Sequence, residues 1–494
     1  PSPKGHGCRM PVMRRPYAAG RSDVVGRSRW ATPLDAIFLM GETPETLMHV
    51  ASLLHFTYPE GVRRTAYLRQ LVSDLRAAPI EAPWFFRLQT RTLMRQPVHR
   101  WVEDDEFDID YHVRHSALPS PGGERELGIL VSRLHSNQLD FRRPPWEMHV
   151  IEGLSGNRFA IYTKIHHSLV DGFTGMRILQ RGLAVDPDDR EHPFFFSTRK
   201  PPRPEGATRE ADPVGDVTSI LRSLASSVGT TPSVLKALVE TQVGRGRTPT
   251  RAVTSYQAPD SILNSRTGRS RRFATQEYEL ARLRAVAKAR RATLNDVLMA
   301  ICAGGLRTWL TDLDALPQRP LIAFIPVNVR PPESEGGGNA VGATLVSLAT
   351  EIEDPLERLT AITASSRAAK ARMRDMGADA VMAYSALLLA PAALQVAKAM
   401  SGLPGPVPHT LNVGISNVPG PREHLYLRGA RLEATYPVSI PGHSMALNIT
   451  AHSYAEKLDL GFIGDREALP HLQRLAVHTG EALEELEAAV AAVE

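Results

Sequence analysis

Two adjacent histidines, followed by an aspartate and a glycine, are the residues of this 494-residue chain best suited to chemistry. They belong to the run His166-His167-Ser168-Leu169-Val170-Asp171-Gly172. An imidazole has an unperturbed pKa of about 6.5, so at neutral pH it can take a proton from a hydroxyl group. The run therefore indicates a general-base site.

The residues around this run predict a strand before it and a helix after it. Between Arg158 and Ile165, one face of the predicted strand holds Phe159, Ile161, Thr163 and Ile165, and the other holds Ala160, Tyr162 and Lys164. Beyond the run, helical spacing connects Phe173, Met176, Leu179 and Leu183. We therefore expect the histidines at a strand end that opens onto a loop, where a rigid scaffold can hold an exposed imidazole.

We assign different roles to the four polar or special residues. His167 lies further past the strand and is the expected base, whereas we expect His166 to pack or to form structural hydrogen bonds. Asp171 either fixes the tautomer of His167 or pairs with a distant arginine to hold the loop, and we favour the second role. Gly172 leaves room for a substrate or adopts a backbone angle that other residues disfavour.

Two other interpretations of the histidine pair are a metal site and ordinary core packing. Zinc sites need three or four converging ligands, and neighbouring strand residues point to opposite faces. The sequence has no H-E-x-x-H helix and no cysteine cluster, so we expect no metal. Core packing is the usual role of a lone histidine, but four polar or special residues within seven favour a functional motif.

The seven residues match HHxxxDG, the signature of the CoA-dependent acyltransferase superfamily. Further segments narrow the resemblance to the bacterial wax ester synthase/diacylglycerol acyltransferase family. In the family's order, they are Thr32–Leu39, Phe107–Val113, Arg143–His149, Thr293–Val297, Pro326–Arg330 and Ser416–Pro421. The chain departs from the family at Pro144-Pro145-Trp146, where Pro-Leu-Trp is usual, and the basic residues before Trp30 do not align.

The resemblance implies an α/β fold of two chloramphenicol-acetyltransferase-like domains with mixed sheets, and an active site and tunnel at their interface. It implies transfer of a long-chain acyl group from acyl-CoA, as co-substrate, to diacylglycerol or a long-chain alcohol. His167 would act as general base, without a covalent intermediate, a cofactor or a metal. The alternatives are acylation of another hydroxyl or amine, and a lipid-binding or droplet-coating protein of the same fold.

Two further pairs of residues are candidates for substrate binding or structural support. Asn295 and Asp296 begin a predicted helix, so we favour capping, although the resemblance also allows a position near the active site. Ser416 and Asn417 lie where a predicted strand ends, before Pro419-Gly420-Pro421. Either side chain could donate to an oxyanion, but turn formation explains both residues equally well.

Composition indicates a globular protein with ample core. Hydrophobic residues make up 43% of the chain and charged residues 22%. Cys8 and Cys302 do not suggest a disulfide framework, so we expect a reducing, cytoplasmic location. The net charge of +5 is partly concentrated near the N-terminus, and that stretch lacks the apolar segment of a signal peptide. No nucleic-acid-binding motif accompanies this charge, so we expect no nucleic-acid partner.

The chain divides into two predicted halves joined by a segment rich in proline, glycine and arginine. We expect a disordered basic extension at 1–29, an N-terminal acyltransferase domain at 30–196, a linker with a helix at 197–263 and a C-terminal domain at 264–494. The extension could instead attract anionic lipid or acyl-CoA phosphates. Helical patterns at 281–292, 295–310 and 355–376 alternate with strand patterns at 321–329, 343–352, 410–416, 445–454 and 457–464. This mixed order predicts an α/β fold.

No segment has the pattern of an uninterrupted transmembrane helix. The most apolar stretch, 381–400, contains Pro391, Gln395 and Lys398. It fits a core helix and a helix docked on lipid equally well, and Phe194–Phe196 leaves the same choice open. Peripheral contact with the inner membrane or a lipid droplet is therefore the alternative to a purely cytoplasmic position.

Overall fold

The computed structural model describes residues 28–31, 33–93, 96–169, 172–198, 253–328, 341–374 and 408–493, with short stretches between 376 and 395. Most of the basic extension, the predicted linker helix and much of 381–400 lie outside these residues. The structure therefore does not test those predictions.

Helices and strands alternate along both halves, as the sequence predicts for an α/β protein. The first half contains β1 (Ser28–Trp30), α1 (Pro33–Gly41), β2 (His49–Thr57), α2 (Arg64–Ala77), β3 (Phe86–Leu93), β4 (Gln96–Glu103), α3 (Ile109–His112), β5 (Val113–Ala117), α4 (Glu124–His135), β6 (Trp146–Leu154), β7 (Arg158–His166) and α5 (Gly172–Arg181). The second half contains β8 (Arg271–Glu279), α6 (Leu280–Ala289), α7 (Leu294–Asp312), β9 (Ile322–Asn328), β10 (Val341–Ser347), α8 (Pro355–Met373), β11 (Val413–Val418), β12 (Tyr426–Leu427), β13 (Ala430–Val438), β14 (Leu447–Tyr454), β15 (Lys457–Asp465) and α9 (Leu472–Ala491).

These strands form two six-stranded sheets and a small three-stranded sheet. The N-terminal sheet has the order β12-β13-β2-β7-β6-β5, and the C-terminal sheet has the order β10-β9-β11-β14-β15-β8. The small sheet has the order β1-β4-β3. Both large sheets are mixed, because β5 runs parallel to β6, and β11 runs parallel to β9 and β14.

The second half of the chain contributes two strands to the N-terminal sheet, and the two large sheets touch directly. The strands β12 and β13 come from the second half of the chain, but β13 pairs antiparallel with β2 and places Val438 opposite Ala51. Gly461 of β15 lies against this strand, and a Cβ atom there would be only 1.8 Å from the carbonyl oxygen of Pro437. A side chain at this position would push the sheets apart, so the contact depends on glycine.

The predicted alternation along β7 separates two cores on the two faces of the N-terminal sheet. Phe159, Ile161 and Ile165 pack in one core with residues of α2 and with Trp146. Ala160 and Tyr162 pack on the other face, against apolar residues of α4. Phe194–Phe196 is buried in the first core, which decides between the two sequence interpretations in favour of internal packing.

Candidate active site

His166 is the last residue of β7, and its ring is buried and held by hydrogen bonds. Its Nδ1 accepts from the backbone N–H and the hydroxyl of Ser168, at 3.2 Å and 2.6 Å. Its own backbone N–H donates to the carbonyl of Pro145 at 3.0 Å. Because Nδ1 is an acceptor, the ring proton lies on Nε2, which is 3.6 Å from the carboxylate of Glu42. His166 therefore has the structural environment expected from the sequence.

Pro145 is the residue at which the chain departs from the family pattern. It contributes its carbonyl oxygen to this contact. A backbone carbonyl is present whether the residue is proline or leucine. The departure therefore leaves the hydrogen bond to His166 intact.

His167 follows the end of the strand and is half-buried. Its backbone N–H donates to the carbonyl of Met48 at 2.9 Å. Its ring stacks on Phe38, with 4.0 Å between ring centroids and 22° between planes. The backbone and the ring are thus held by the loop before β2 and by α1, which fixes the imidazole just past the end of β7.

Glu42 connects these two histidines, although no sequence pattern predicted a role for it. Its carboxylate is buried beside His166 and accepts hydrogen bonds from the backbone N–H of Met48 and, at 2.9 Å, from Gln138. Met48 in turn accepts the N–H of His167. The signal in the sequence was an acidic residue directly after the apolar α1, but nothing local indicated its partner.

A buried polar layer lies beneath the motif on the same face of the sheet, formed by His49, His135, Glu147, Tyr162 and Lys164. Lys164 is fully buried and donates to Glu147 at 2.7 Å and to the carbonyls of Leu134 and Asn137 at 2.9 and 2.8 Å. His135 donates through Nε2 to the carbonyl of Ser439 at 3.3 Å and accepts the hydroxyl of Tyr162 at Nδ1 at 2.9 Å. These bonds fix β7, the end of α4 and the second half of the chain to one another.

The charges in this layer are compensated. Burial alone would raise the pKa of the Glu147 carboxyl, but neighbouring His149 and Lys164 outweigh it and hold this pKa at about 2. Burial lowers the pKa of Lys164, and the charge of Glu147 opposes that shift. Burial also keeps the pKa values of His49 and His135 well below the ordinary value, so both rings are neutral at pH 7.

The other two residues of the motif are described incompletely. Asp171 lies outside the described residues, so its predicted role as a tautomer-fixing group or a loop-holding ion-pair partner stays a prediction. Gly172 is the first residue of α5, which places it at the start of a helix as the sequence predicts. Its proposed role in making room for substrate also stays a prediction.

Asn295 and Asp296 lie at the start of α7. The hydroxyl of Thr293 accepts the backbone N–H of Asp296 at 3.2 Å, and the Asp296 carboxylate accepts the N–H of Thr293 at 2.9 Å. This reciprocal arrangement is a capping box. Asp296 is buried and Asn295 is half-buried.

Ser416 and Asn417 lie inside β11, not in a turn after it. The predicted strand ended at Ser416, whereas β11 continues to Val418 because β14 provides a parallel partner along its length. Ser416 pairs with Thr450 and Asn417 with Ala451. The turn interpretation is therefore wrong, and donation to an oxyanion stays a prediction for two half-buried strand residues.

In the part of the chain that the structure describes, no three His, Cys, Asp or Glu side chains converge as metal ligands. No described helix combines the length and the hydropathy that a bilayer span requires.

Comparisons with known proteins agree with the sequence motifs. The catalytic-domain model of wax ester synthase/diacylglycerol acyltransferase matches residues 32–298, and the model of the C-terminal domain of this family matches residues 337–487. A Mycobacterium tuberculosis protein named as a diacylglycerol O-acyltransferase is 51% identical over 92% of this chain and 97% of its own length. The O-acyltransferase WSD of Acinetobacter baylyi is 41% identical over 93% of this chain and 97% of its own length.

Solved structures support the same assignment. The wax ester synthase/diacylglycerol acyltransferase of Marinobacter aquaeolei superposes with a TM-score of 0.74 at 39% identity, covering 94% of this chain and all of that one. The first condensation domain of the CDA synthetase, at 16% identity and a TM-score of 0.54, shares the fold. The predicted fold class and family are both confirmed. This chain belongs to the wax ester synthase/diacylglycerol acyltransferase family.

Proposed function

We propose that this O-acyltransferase transfers a long-chain acyl group from acyl-CoA to a hydroxyl group with His167 as general base. The contrast between the two adjacent imidazoles supports this assignment most strongly. The ring of His166 is fully buried, and its Nδ1 lone pair is occupied by Ser168. His167 is half-buried just past the end of β7, with its backbone held by Met48 and its ring stacked on Phe38. A general base must lie where a substrate hydroxyl can approach it, and the half-buried His167 meets this condition better than the buried His166.

The reaction is a direct transfer. The imidazole of His167 takes the proton of the acceptor hydroxyl as its oxygen attacks the thioester carbonyl carbon. The tetrahedral intermediate then collapses, the C–S bond breaks, and the departing CoA thiolate takes the proton from the imidazolium. An ester and free CoA are the products. A positioned general base typically contributes about 10²–10⁴-fold, and holding both substrates together contributes further.

The acceptors we propose are diacylglycerol, which gives triacylglycerol, and long-chain alcohols, which give wax esters. The names of the Mycobacterium and Marinobacter relatives support these two acceptors. Acyl-CoA serves as co-substrate. Because its thioester is already activated, the proposed reaction requires neither a resident cofactor nor a metal.

Thiol release from palmitoyl-CoA tests the function. We expect release by the purified protein to depend on added diacylglycerol or hexadecanol, and an amine acceptor tests the alternative chemistry. Ester formation is followed in parallel by chromatography. Tight binding of palmitoyl-CoA without release in any acceptor mixture would instead identify a lipid-binding protein of the same fold.

Substitution of each histidine tests the mechanism. We expect His167→Ala to fold normally and to lose at least about a hundredfold in ester formation. His166→Ala should lose less activity and should lower the melting temperature, because it removes a buried ring hydrogen-bonded to Ser168. Near-normal turnover by His167→Ala would exclude this imidazole as the base.

We also propose that the edge of the small sheet contacts an anionic lipid surface, since both proposed acceptors are insoluble lipids. The indole of Trp30 is 44% exposed, and the guanidinium of Arg100 lies 5.5 Å from its ring centroid. The neighbouring Arg29 side chain is 42% exposed. An exposed indole beside arginines is suited to the interface of an anionic membrane.

Co-sedimentation with phosphatidylglycerol-containing vesicles tests this contact. Trp30→Ala should weaken vesicle binding several-fold. Val477→Ala, which truncates an exposed apolar side chain on α9, is the control and should leave binding unchanged. Equal binding by wild type and Trp30→Ala would show that the lipid contact lies on another surface.

A further inference from the structure

The helix that begins with the last residue of the motif is bound at its other end to the second half of the chain. Gln180, one residue before the end of α5, donates its side-chain amide to Nε2 of His452 on β14 at 3.0 Å. The two residues are 272 positions apart in the sequence. This hydrogen bond therefore connects the helix after HHxxxDG to the C-terminal sheet.

The protonation state of His452 follows from its surroundings. The ring is fully buried, and burial lowers its pKa to about 4, so it is neutral at pH 7. Because Nε2 accepts from the Gln180 amide, the proton lies on Nδ1, which donates to the hydroxyl of Thr435 at 2.5 Å. The backbone N–H of Thr435 donates in turn to the carboxyl of Asp459 at 2.7 Å.

This chain of bonds includes both large sheets. Thr435 lies on β13 in the N-terminal sheet, whereas His452 and Asp459 are paired residues of β14 and β15 in the C-terminal sheet. A hydrogen bond from Gln180 to His452 thus fixes α5 where the two sheets meet. The neutral ring of His452 accepts from Gln180 and donates to Thr435, so it holds the two residues in place without adding a charge.

The family segment Ser416–Pro421 covers the same ring. Val418 lies opposite His452 in the parallel ladder between β11 and β14. Gly420 passes over the imidazole so closely that a Cβ atom there would be 2.4 Å from its Cε1. The segment that contains the candidate oxyanion donors and the helix that begins with Gly172 are therefore both held against His452.

A second attachment lies just beyond the helix. The backbones of Ala184 and Tyr426 exchange two hydrogen bonds of 2.8 and 2.7 Å. A Cβ atom on Gly182 would be 2.5 Å from the backbone nitrogen of Phe195, so the chain packs closely here too. The backbone pair of Ala184 and Tyr426 and the side chain of Gln180 therefore both hold the C-terminal end of α5 against the second half of the chain.

We infer that Gln180 and His452 are positioning residues for acyl transfer: their hydrogen bond orients α5, and hence the motif at its start, relative to the second half of the active site. This inference rests on the proposed function, because it concerns the geometry in which His167 works. Gln180 lies at the opposite end of α5 from Gly172, so the loss of the bond should affect turnover more than substrate binding.

The first test separates turnover from binding. We expect Gln180→Leu and His452→Leu each to lower kcat about tenfold or more, with less than about twofold change in KM for palmitoyl-CoA, since small misplacements in an active site are costly. Tyr436→Phe is the matched control. It removes another hydrogen bond between the sheets, the 3.3 Å bond to Glu277, without touching α5, and should keep wild-type kcat. Wild-type kcat for Gln180→Leu would overturn the inference.

The second test uses the chemistry of the bond. Gln180→Glu offers only acceptors, but His452 can respond by moving its proton to Nε2 and accepting the Thr435 hydroxyl at Nδ1. This variant should therefore keep kcat within about threefold of wild type. If Gln180→Glu is as slow as Gln180→Leu, the hydrogen bond is not the cause and the inference fails.

A double variant and His167→Ala complete the experiment. Gln180→Leu/His452→Leu should be no slower than the slower single variant, because both changes remove one bond, whereas losses that multiply would contradict the inference. His167→Ala, measured in the same assay, reports on the proposed function. If it retains turnover, the general-base assignment fails. If it is inactive while Gln180→Leu has wild-type kcat, only the positioning role fails.

Discussion

The phenyl ring of Phe38 lies nearly parallel to the imidazole of His167, with 4.0 Å between the ring centroids. Phe38 belongs to α1, more than a hundred residues before the motif in the sequence. The first family segment, Thr32–Leu39, thus contributes a wall of the site. The stacking contact also explains how the half-buried imidazole of His167, past the end of β7, keeps one orientation.

Removal of this wall should slow the reaction. Phe38→Ala leaves His167 free to rotate, and we expect kcat to fall about tenfold or more because the base is no longer aligned. Phe38→Tyr keeps the ring face and should stay near wild type. Steady-state kinetics with palmitoyl-CoA and a diacylglycerol checks both variants. Equal kcat for Phe38→Ala and wild type would show that the stack does not orient the base.

Glu42 should affect both stability and turnover. In Glu42→Gln, one carboxylate oxygen becomes an NH₂ group, which cannot accept from Met48 or Gln138. We expect a loss of about 1–3 kcal/mol in the free energy of unfolding, as for other buried donors left unsatisfied. Because Met48 holds the backbone of His167, kcat should fall as well. Urea unfolding and kinetics measure the two effects, and Glu60→Gln, at an exposed position, is the control.

The buried pair of Lys164 and Glu147 should be strongly coupled. Lys164→Met leaves a buried carboxylate with less compensation and should lower the free energy of unfolding by about 3 kcal/mol or more. The double variant Lys164→Met/Glu147→Leu should lose less than the sum of the single variants. Denaturant unfolding of wild type, the two single variants and the double variant completes the double-mutant cycle. Additive losses would show that the two charges do not depend on each other.

An exposed ion pair is the control for that experiment. Arg282 and Glu487 are 2.5 Å apart, but both side chains are partly exposed. Solvent screens such a pair, so Arg282→Met should leave the stability close to that of wild type.

Asp459 should make stability depend on pH. Burial raises its pKa from 3.8 to about 7 in the folded protein. The native state therefore retains a proton that the unfolded chain has released, and stability is lost as the pH rises from about 4 to about 7. Between pH 5 and pH 8 this contribution falls by about 2–3 kcal/mol.

Asp459→Asn tests this dependence, because asparagine does not titrate and can still accept from Thr435. The free energy of unfolding of the variant, relative to wild type, should rise between pH 5 and pH 8 by about the same 2–3 kcal/mol. Urea unfolding at several pH values provides the measurement. A parallel pH dependence in the two proteins would mean that Asp459 is ionised in the native state throughout this range.

Elements that depend on local periodicity were predicted well. The predicted helix at 295–310 is observed as Leu294–Asp312, and the strand at 457–464 as Lys457–Asp465. The strand predicted at 343–352 ends earlier, at Ser347, because the chain turns at Ala349, which has a φ of 47°. The strand β13 was not predicted, since its partner β2 lies in the other half of the chain.

The sequence by itself determined the local order around the site: the alternating strand, the histidines at its end, the helix after them and the resemblance to the family. These features depend on residue types a few positions apart, so they can be recognised from local sequence patterns. Only the tertiary structure decided that Glu42 lies beside His166, that Phe38 stacks on His167 and that His452 holds Gln180. Such pairs form because two sheets and their helices pack face to face. No local pattern specifies which polar group another segment will bring to a buried nitrogen or oxygen.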